Sequence, residues 1–243
     1  MGIRRGSIST PIIADGLVFN MDAANRASYV PYATSSYNTT DLSISGSFIN
    51  DPTFITTPAS SSCWSFDGVD DQIDSQNISA LNGVSNFTIS GWFKQTTIDQ
   101  NKMLFGAAYG NTQRTTIYTW SDGLMYFETR NGDSSYSYFD YSTAVSNNTW
   151  FHLCWIYNGL GAANADKHQV YIDGNKITLS FSGTIPTSTN ATQRELLIGN
   201  CYNYTTYDFL GEIANFHIYN RSLSANEVLH NYNALKGRFA WVE

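Results

Sequence analysis

The chain's 243 residues exceed the commonest domain size but suit a single all-β sandwich. Hydrophobic residues make up 42 %, with 14 Phe, 16 Tyr and 6 Trp, and charged residues only 14 %, so a large core must be sealed by a surface rich in Ser, Thr, Asn and Gln. A net charge of −7 and a pI near 4.9 argue against nucleic acid, whose phosphates need clustered Lys and Arg, and no apolar run reaches the ~20 residues that cross a bilayer.

Residues 1–15 carry Gly, Ser, Thr and Pro without a period, and Arg4 and Arg5 are their only charge cluster. Two readings stand for this arm: a frayed terminus, or a segment that anchors the body to a larger assembly through the two arginines. It lacks an apolar run, so no secretory signal is expected. Residues 16–243 read as one domain. Gly16 to Asp22 is the first strand. Residues 24–62 are loop-rich, with Phe48, Phe54 and Ile55 as anchors, and a stretch this long without pattern wraps a surface or hosts a site.

From Cys63 the spacing becomes regular. Phe87 to Phe93 alternates, Thr115 to Trp120 and Leu124 to Arg130 flank the turn Ser121-Asp122-Gly123, and Asn131-Gly132 leads into Tyr136 to Tyr141. Trp150 to Tyr157 is the most apolar strand, and Asp173-Gly174-Asn175 turns Gln169 to Ile172 into Ile177 to Phe181. Cys63, Cys154 and Cys201 are odd in number and widely spaced, which suits small buried side chains in a chain folded in a reducing cytoplasm.

The C-terminal stretch is the most explicit. Ala214, Phe216 and Ile218 alternate with Asn215, His217 and Tyr219, the period of a half-buried strand. Ser224 stands three residues before Glu227 as a capping box, Val228, Tyr232 and Leu235 follow at helical spacing, and Gly237 offers a left-handed stop. About a dozen short strands and one terminal helix predict an all-β fold: a two-sheet antiparallel jelly-roll sandwich with a short C-terminal α-helix.

Several segments occur in an order that resembles the laminin-G-like, concanavalin A-like jelly roll. They are Gly16 to Ala23, Phe66 to Asp71, Phe87 to Phe93, Trp150 to Leu153, Val170 to Gly174, Leu197 to Gly199, Phe209 to Ala214 and Ile218 to Ser224. The ending, Asn231 to Phe239, is similar to versions carried by structural proteins of tailed bacteriophages. The resemblance spans roughly residues 16–239. It implies a binding or structural module, many relatives contacting glycans and some holding calcium. The expected role is a non-enzymatic virion component, a capsid decoration or a tail or fibre module made in the host cytoplasm. It would act through contacts with other virion proteins and as a homo-oligomer on the particle. The alternative is an adhesin that grips host surface polysaccharide.

Asp67, Asp70 and Asp71 form the one dense carboxylate cluster, around Gly68. Either Asp67 caps a turn and the others are solvated, or the cluster holds one structural calcium ion, which takes several hard oxygen ligands. Asp22 and Glu212 are added to that set because the resemblance places the first and last strands near the turn. Tyr136, Tyr138 and Tyr141, and Tyr202, Tyr204 and Tyr207, lie among polar residues, a mix suited either to sugar stacking or to sheet packing and protein contacts; Tyr136, Tyr138, Tyr202, Tyr204 and Tyr207 are the candidate carbohydrate contacts. Glycoside hydrolysis needs two carboxyls on one face, and none of Glu128, Glu195, Glu212, Glu227 and Glu243 has an acidic partner at i+2 or i+4. His152, His168, His217 and His230 are scattered, so no catalytic residue is assigned.

Overall fold

The computed structural model describes residues 11–56, 62–98, 100–192, 194–202 and 206–239. Arg4, Arg5 and Tyr204 lie outside them. Two antiparallel sheets stack face to face. The eight-stranded sheet has Asn86–Gln95 at its centre, between Trp150–Asn158 and Leu210–Tyr219. His168–Ile172 and Asn175–Ile177 extend one side, Cys63–Asp67 and Thr53–Ile55 the other, and Leu17–Asp22 also pairs with Leu210–Tyr219. The nine-stranded sheet runs Ser180–Ser182, Tyr136–Asp140, Leu124–Asn131, Gln113–Thr119, Lys102–Gly110, Leu196–Ile198, Gln72–Ser75, Ser45–Ile49 and Ser35–Tyr37.

The strand period decides what lies between the sheets. Phe87, Ile89 and Phe93 from one sheet meet Phe105, Ile117 and Phe127 from the other, all fully buried. Trp155 joins the layers, with ring centroids 5.0 Å from Phe87, 5.6 Å from Phe127 and 6.4 Å from Phe105. A buried indole removes on the order of 200 Å² from water, or about 5 kcal/mol before side-chain ordering is subtracted. His168 sits in the same layer, its two ring nitrogens 2.9 and 2.8 Å from the hydroxyls of Thr129 and Ser137.

The predicted capping box forms. Glu227 accepts the Ser224 amide at 2.8 Å and donates its own amide to the Ser224 hydroxyl, which starts the helix Ala225–Leu235. Arg221, paired with Glu227 at 2.6 Å, holds that carboxyl down at about 2 and also reaches Asp15. The helix lies on the outer face of the eight-stranded sheet. Val228 and Leu223 pack on Cys154, Ile156 and Tyr219, while Tyr232 and Phe239 stack on Trp92 at 5.7 and 4.1 Å.

The last strand therefore departs from its half-buried reading. From Ile213 to Tyr219 every residue is buried, because the helix covers the face that alternation left to solvent. Gly237 departs as well: it lies in a 3₁₀ turn, Lys236–Arg238, and has no positive φ. That tighter turn delivers Arg238 to Asp22, bonded at 2.8 and 2.9 Å, and Phe239 to Trp92 and Trp150. The incoming segment is fastened to the same face, where the Ile13 amide donates to Asn231 and Pro11 lies 2.9 Å from His230. Residues 24–62, expected to be loop, contain three short strands: Ser35–Tyr37 and Thr53–Ile55 at sheet edges, and Ser45–Ile49 between Ser35–Tyr37 and Gln72–Ser75.

Candidate binding face

With the helix on one side, the outer face of the nine-stranded sheet is the other broad surface, and it carries a row of aromatic rings. The Ser121-Asp122-Gly123 turn sets the hairpin so that Tyr118 and Tyr126 stand directly opposite, and the next strand brings Tyr138 opposite Tyr126. The three rings form one rung across the strands, stacked at 5.0 Å between Tyr118 and Tyr126 and at 5.7 Å between Tyr126 and Tyr138. Tyr136 flanks Tyr126 at 5.5 Å. Trp120 and Tyr207 continue the row past Tyr118, with steps of 6.1 and 5.1 Å. All six are partly exposed.

The far end of the row is placed by a glycine. Gly106 lies opposite Thr116, and any side chain there would run into Sγ and Cβ of Cys201. The segment after Ile198 can therefore fold back over this face, where Cys201 packs with Met103 and Ala108 against Tyr118 and Tyr207. Burial pushes the Cys201 thiol up to about 12, which keeps it protonated and inert.

Beside the rung a buried carboxylate is fully satisfied. Glu128 Oε1 accepts from the Tyr118 hydroxyl at 2.9 Å and pairs with Arg130 at 2.7 Å, while Oε2 accepts from Thr116 at 3.1 Å and from Arg114 Nε. Burial, then the Glu128 charge, raises the Tyr118 hydroxyl well above its usual range. Tyr126 is raised too, by burial and by its 2.6 Å bond to Asp122. Both phenols stay neutral donors. With each of its oxygens doubly occupied, Glu128 has no free lone pair for acid–base work on a ligand.

The sequence-based candidates divide. Tyr136, Tyr138 and Tyr207 come together on this face. Tyr202 is exposed elsewhere, stacked under Arg194 at 3.9 Å with Tyr109 nearby. Tyr141 is buried in the core. Tyr118, Trp120, Tyr126 and the Glu128 network were not singled out, although Tyr118 with Trp120 and Tyr126 with Glu128 each share a face at i, i+2 across a recognisable hairpin.

Asp67, Asp70 and Asp71 do converge, with carboxylate oxygens within 4.8 Å of one another. Their donor type suits a hard cation, but two of the three already serve the turn. Asp71 accepts the Asp67 amide at 2.9 Å, Asp67 accepts the Val69 amide at 2.8 Å, and the Lys102 ammonium lies 3.4 Å from the Gly68 carbonyl. Asp22 and Glu212 do not join them: Asp22 is held by Arg238 and Glu212 by Lys94 at 2.7 Å. Of the expected five residues, the structure brings together Asp67, Asp70 and Asp71 and leaves Asp22 and Glu212 apart from them.

Among solved structures the chain is similar to the binding domain of botulinum neurotoxin serotype D, at 16 % identity and a TM-score of 0.66, over 90 % of this chain and 52 % of that one. The serotype D ligand-binding domain in complex with N-acetylneuraminic acid gives 13 % identity and a TM-score of 0.63, over 90 % and 51 %. The binding domain of botulinum neurotoxin DC in complex with rat synaptotagmin II gives the same identity and score, over 90 % and 52 %. This chain spans about half the length of those domains. A search of curated protein sequences finds no match. A family model, however, matches residues 67–229, which contain the hairpin, the tyrosine rung and most of both sheets. On that match the chain belongs to the concanavalin A-like lectin/glucanases superfamily, in its laminin-G-type branch.

Proposed function

We propose that the protein is a non-catalytic binding domain that holds a carbohydrate chain across the Tyr118–Tyr126–Tyr138 rung. One observation carries the reading: six partly exposed aromatic rings form a continuous row on the open sheet face. Such rings give a large, rigid, amphipathic contact at low entropic cost, while phenol hydroxyls and neighbouring side chains hydrogen-bond the ligand. The Arg114–Glu128–Arg130 network stiffens the strands beneath. Glu128, occupied on both oxygens, argues for binding without hydrolysis, which needs two working carboxyls. The family's lectins and the neurotoxin domain bound to N-acetylneuraminic acid support a glycan as the ligand class.

The test is a glycan array read with the intact chain and with Tyr126→Ala and Tyr138→Ala. Binding to a restricted set of glycans, weakened at least about tenfold by Tyr126→Ala, is expected, as for a central aromatic contact. Binding that survives both substitutions would refute the assignment.

The virion module is the second reading, acting through protein partners. The position of Pro11 favours it. Held at His230 on the helix side, it lets a preceding anchor attach without covering the tyrosines. Co-sedimentation with particles, abolished by deleting residues 1–10, is the expected result for that role.

A further inference from the structure

A second concavity lies at the opposite edge of the nine-stranded sheet, four strands beyond the tyrosine-bearing ones, between the 26–34 and 48–56 segments. Its volume is about 780 Å³, within the range of small-molecule sites. The floor is aromatic: Tyr29 lies 4.8 Å from Phe54 and 5.5 Å from Phe48, with Trp64 behind at 5.9 Å. On the rim stand two opposite charges, Arg26 and Asp51, neither with a hydrogen bond or ion pair among the described residues. Tyr32 stands beside them with its whole side chain in solvent.

The backbone singles out the same place. Five described non-glycine residues have positive φ, and two of them, Tyr32 at 73° and Asp51 at 65°, line this cleft. Tyr32 takes its left-handed backbone from the turn Val30-Pro31-Tyr32-Ala33, closed by the Ala33 amide on the Val30 carbonyl at 3.0 Å, and that turn holds its side chain beside the partly open aromatic floor.

We infer that this cleft is a ligand site, separate from the tyrosine face, for a small zwitterionic aromatic molecule of the free aromatic amino acid class. The ring covers Tyr29, Phe48 and Phe54, the carboxylate pairs with Arg26 and the ammonium with Asp51. Charge-assisted bonds of this kind supply orientation where the apolar floor supplies contact.

Calorimetry and ligand-detected NMR on the full chain, with three probes, test the assignment. L-Phenylalanine carries both charges, phenylpropionate lacks the ammonium and phenethylamine lacks the carboxylate. Saturable one-to-one binding of L-phenylalanine is expected, with each analogue about tenfold weaker for its lost charge contact. Arg26→Gln should erase the advantage over phenethylamine, and Asp51→Asn the advantage over phenylpropionate. Both residues are exposed, and Asn accepts a left-handed backbone at least as well as Asp, so folding is not at stake. Tyr126→Ala should change none of these values. No saturable signal from any probe, or an unchanged ranking in both rim variants, would overturn the site and leave the glycan face untouched.

Discussion

Acid should unfold this protein earlier than its carboxylates alone would dictate, because three histidines are buried uncharged. His152, His168 and His217 are each 2 % exposed or less. Desolvation lowers them to about 3, 3 and 4, with help at His152 from His217, and at His168 from Lys167. At His217 the Asp22 charge partly opposes the shift. A folded pKa below the unfolded value of about 6.5 means that the folded chain binds fewer protons. Stability is therefore complete above that value and is lost as pH falls through the window toward 3–4. At about 1.4 kcal/mol per proton per pH unit, each histidine costs about 2 kcal/mol by pH 5, or about 6 kcal/mol together, comparable with the whole stability of an ordinary domain. Asp71, Asp74, Asp173 and Asp208 are raised by burial and act in the opposite direction. Urea midpoints measured from pH 8 to 5 test this, with His152→Phe as the control. His152 lies between Trp92 and Tyr232, and neither ring nitrogen has a hydrogen-bond partner, so an apolar ring should leave neutral stability intact and reduce the slope by one proton. A flat profile over that range, or a slope unaltered by the substitution, would refute the reasoning.

Two further outcomes follow from the binding face and one from the Asp67 turn. Glu128→Gln leaves Arg114 and Arg130 without a counter-charge under the tyrosines, and should cost about 3–5 kcal/mol of unfolding free energy by denaturant titration. Gly106→Val should displace Cys201 and the segment carrying Tyr207, so glycan affinity falls while circular dichroism still reports a β-sandwich. Calcium added to chelator-treated protein should leave the melting temperature unchanged, since the Asp67 turn is closed by its own amides; a rise of several degrees would assign the cluster to the ion.

Local signals survived folding where the chain could satisfy them by itself. The Ser224–Glu227 capping box and the Ser121-Asp122-Gly123 hairpin each depend on a few neighbouring residues, and both form as read. The edge strands Ser35–Tyr37 and Thr53–Ile55 carry no legible strand signal because three residues are too few to show a period of two. His217 and Asn215 looked like solvent-facing alternates, and only the helix packed above them makes them core. The binding face was legible in fragments. Tyr136, Tyr138 and Tyr207 stand out by composition, but Tyr126, which joins them, depends on strand register. The acidic set divided for a related reason: Asp67, Asp70 and Asp71 converge at one turn, but Asp22 and Glu212 are each claimed by a cation, Arg238 or Lys94, that only the assembled sheets supply.

Amide chemical-shift mapping with the best ligand from the glycan array tests the placement of the binding site most directly. Perturbations confined to Thr116–Glu128, Tyr136–Tyr138 and Tyr207 are predicted. Shifts centred on the Ala225–Leu235 helix, with the tyrosine rung silent, would contradict it.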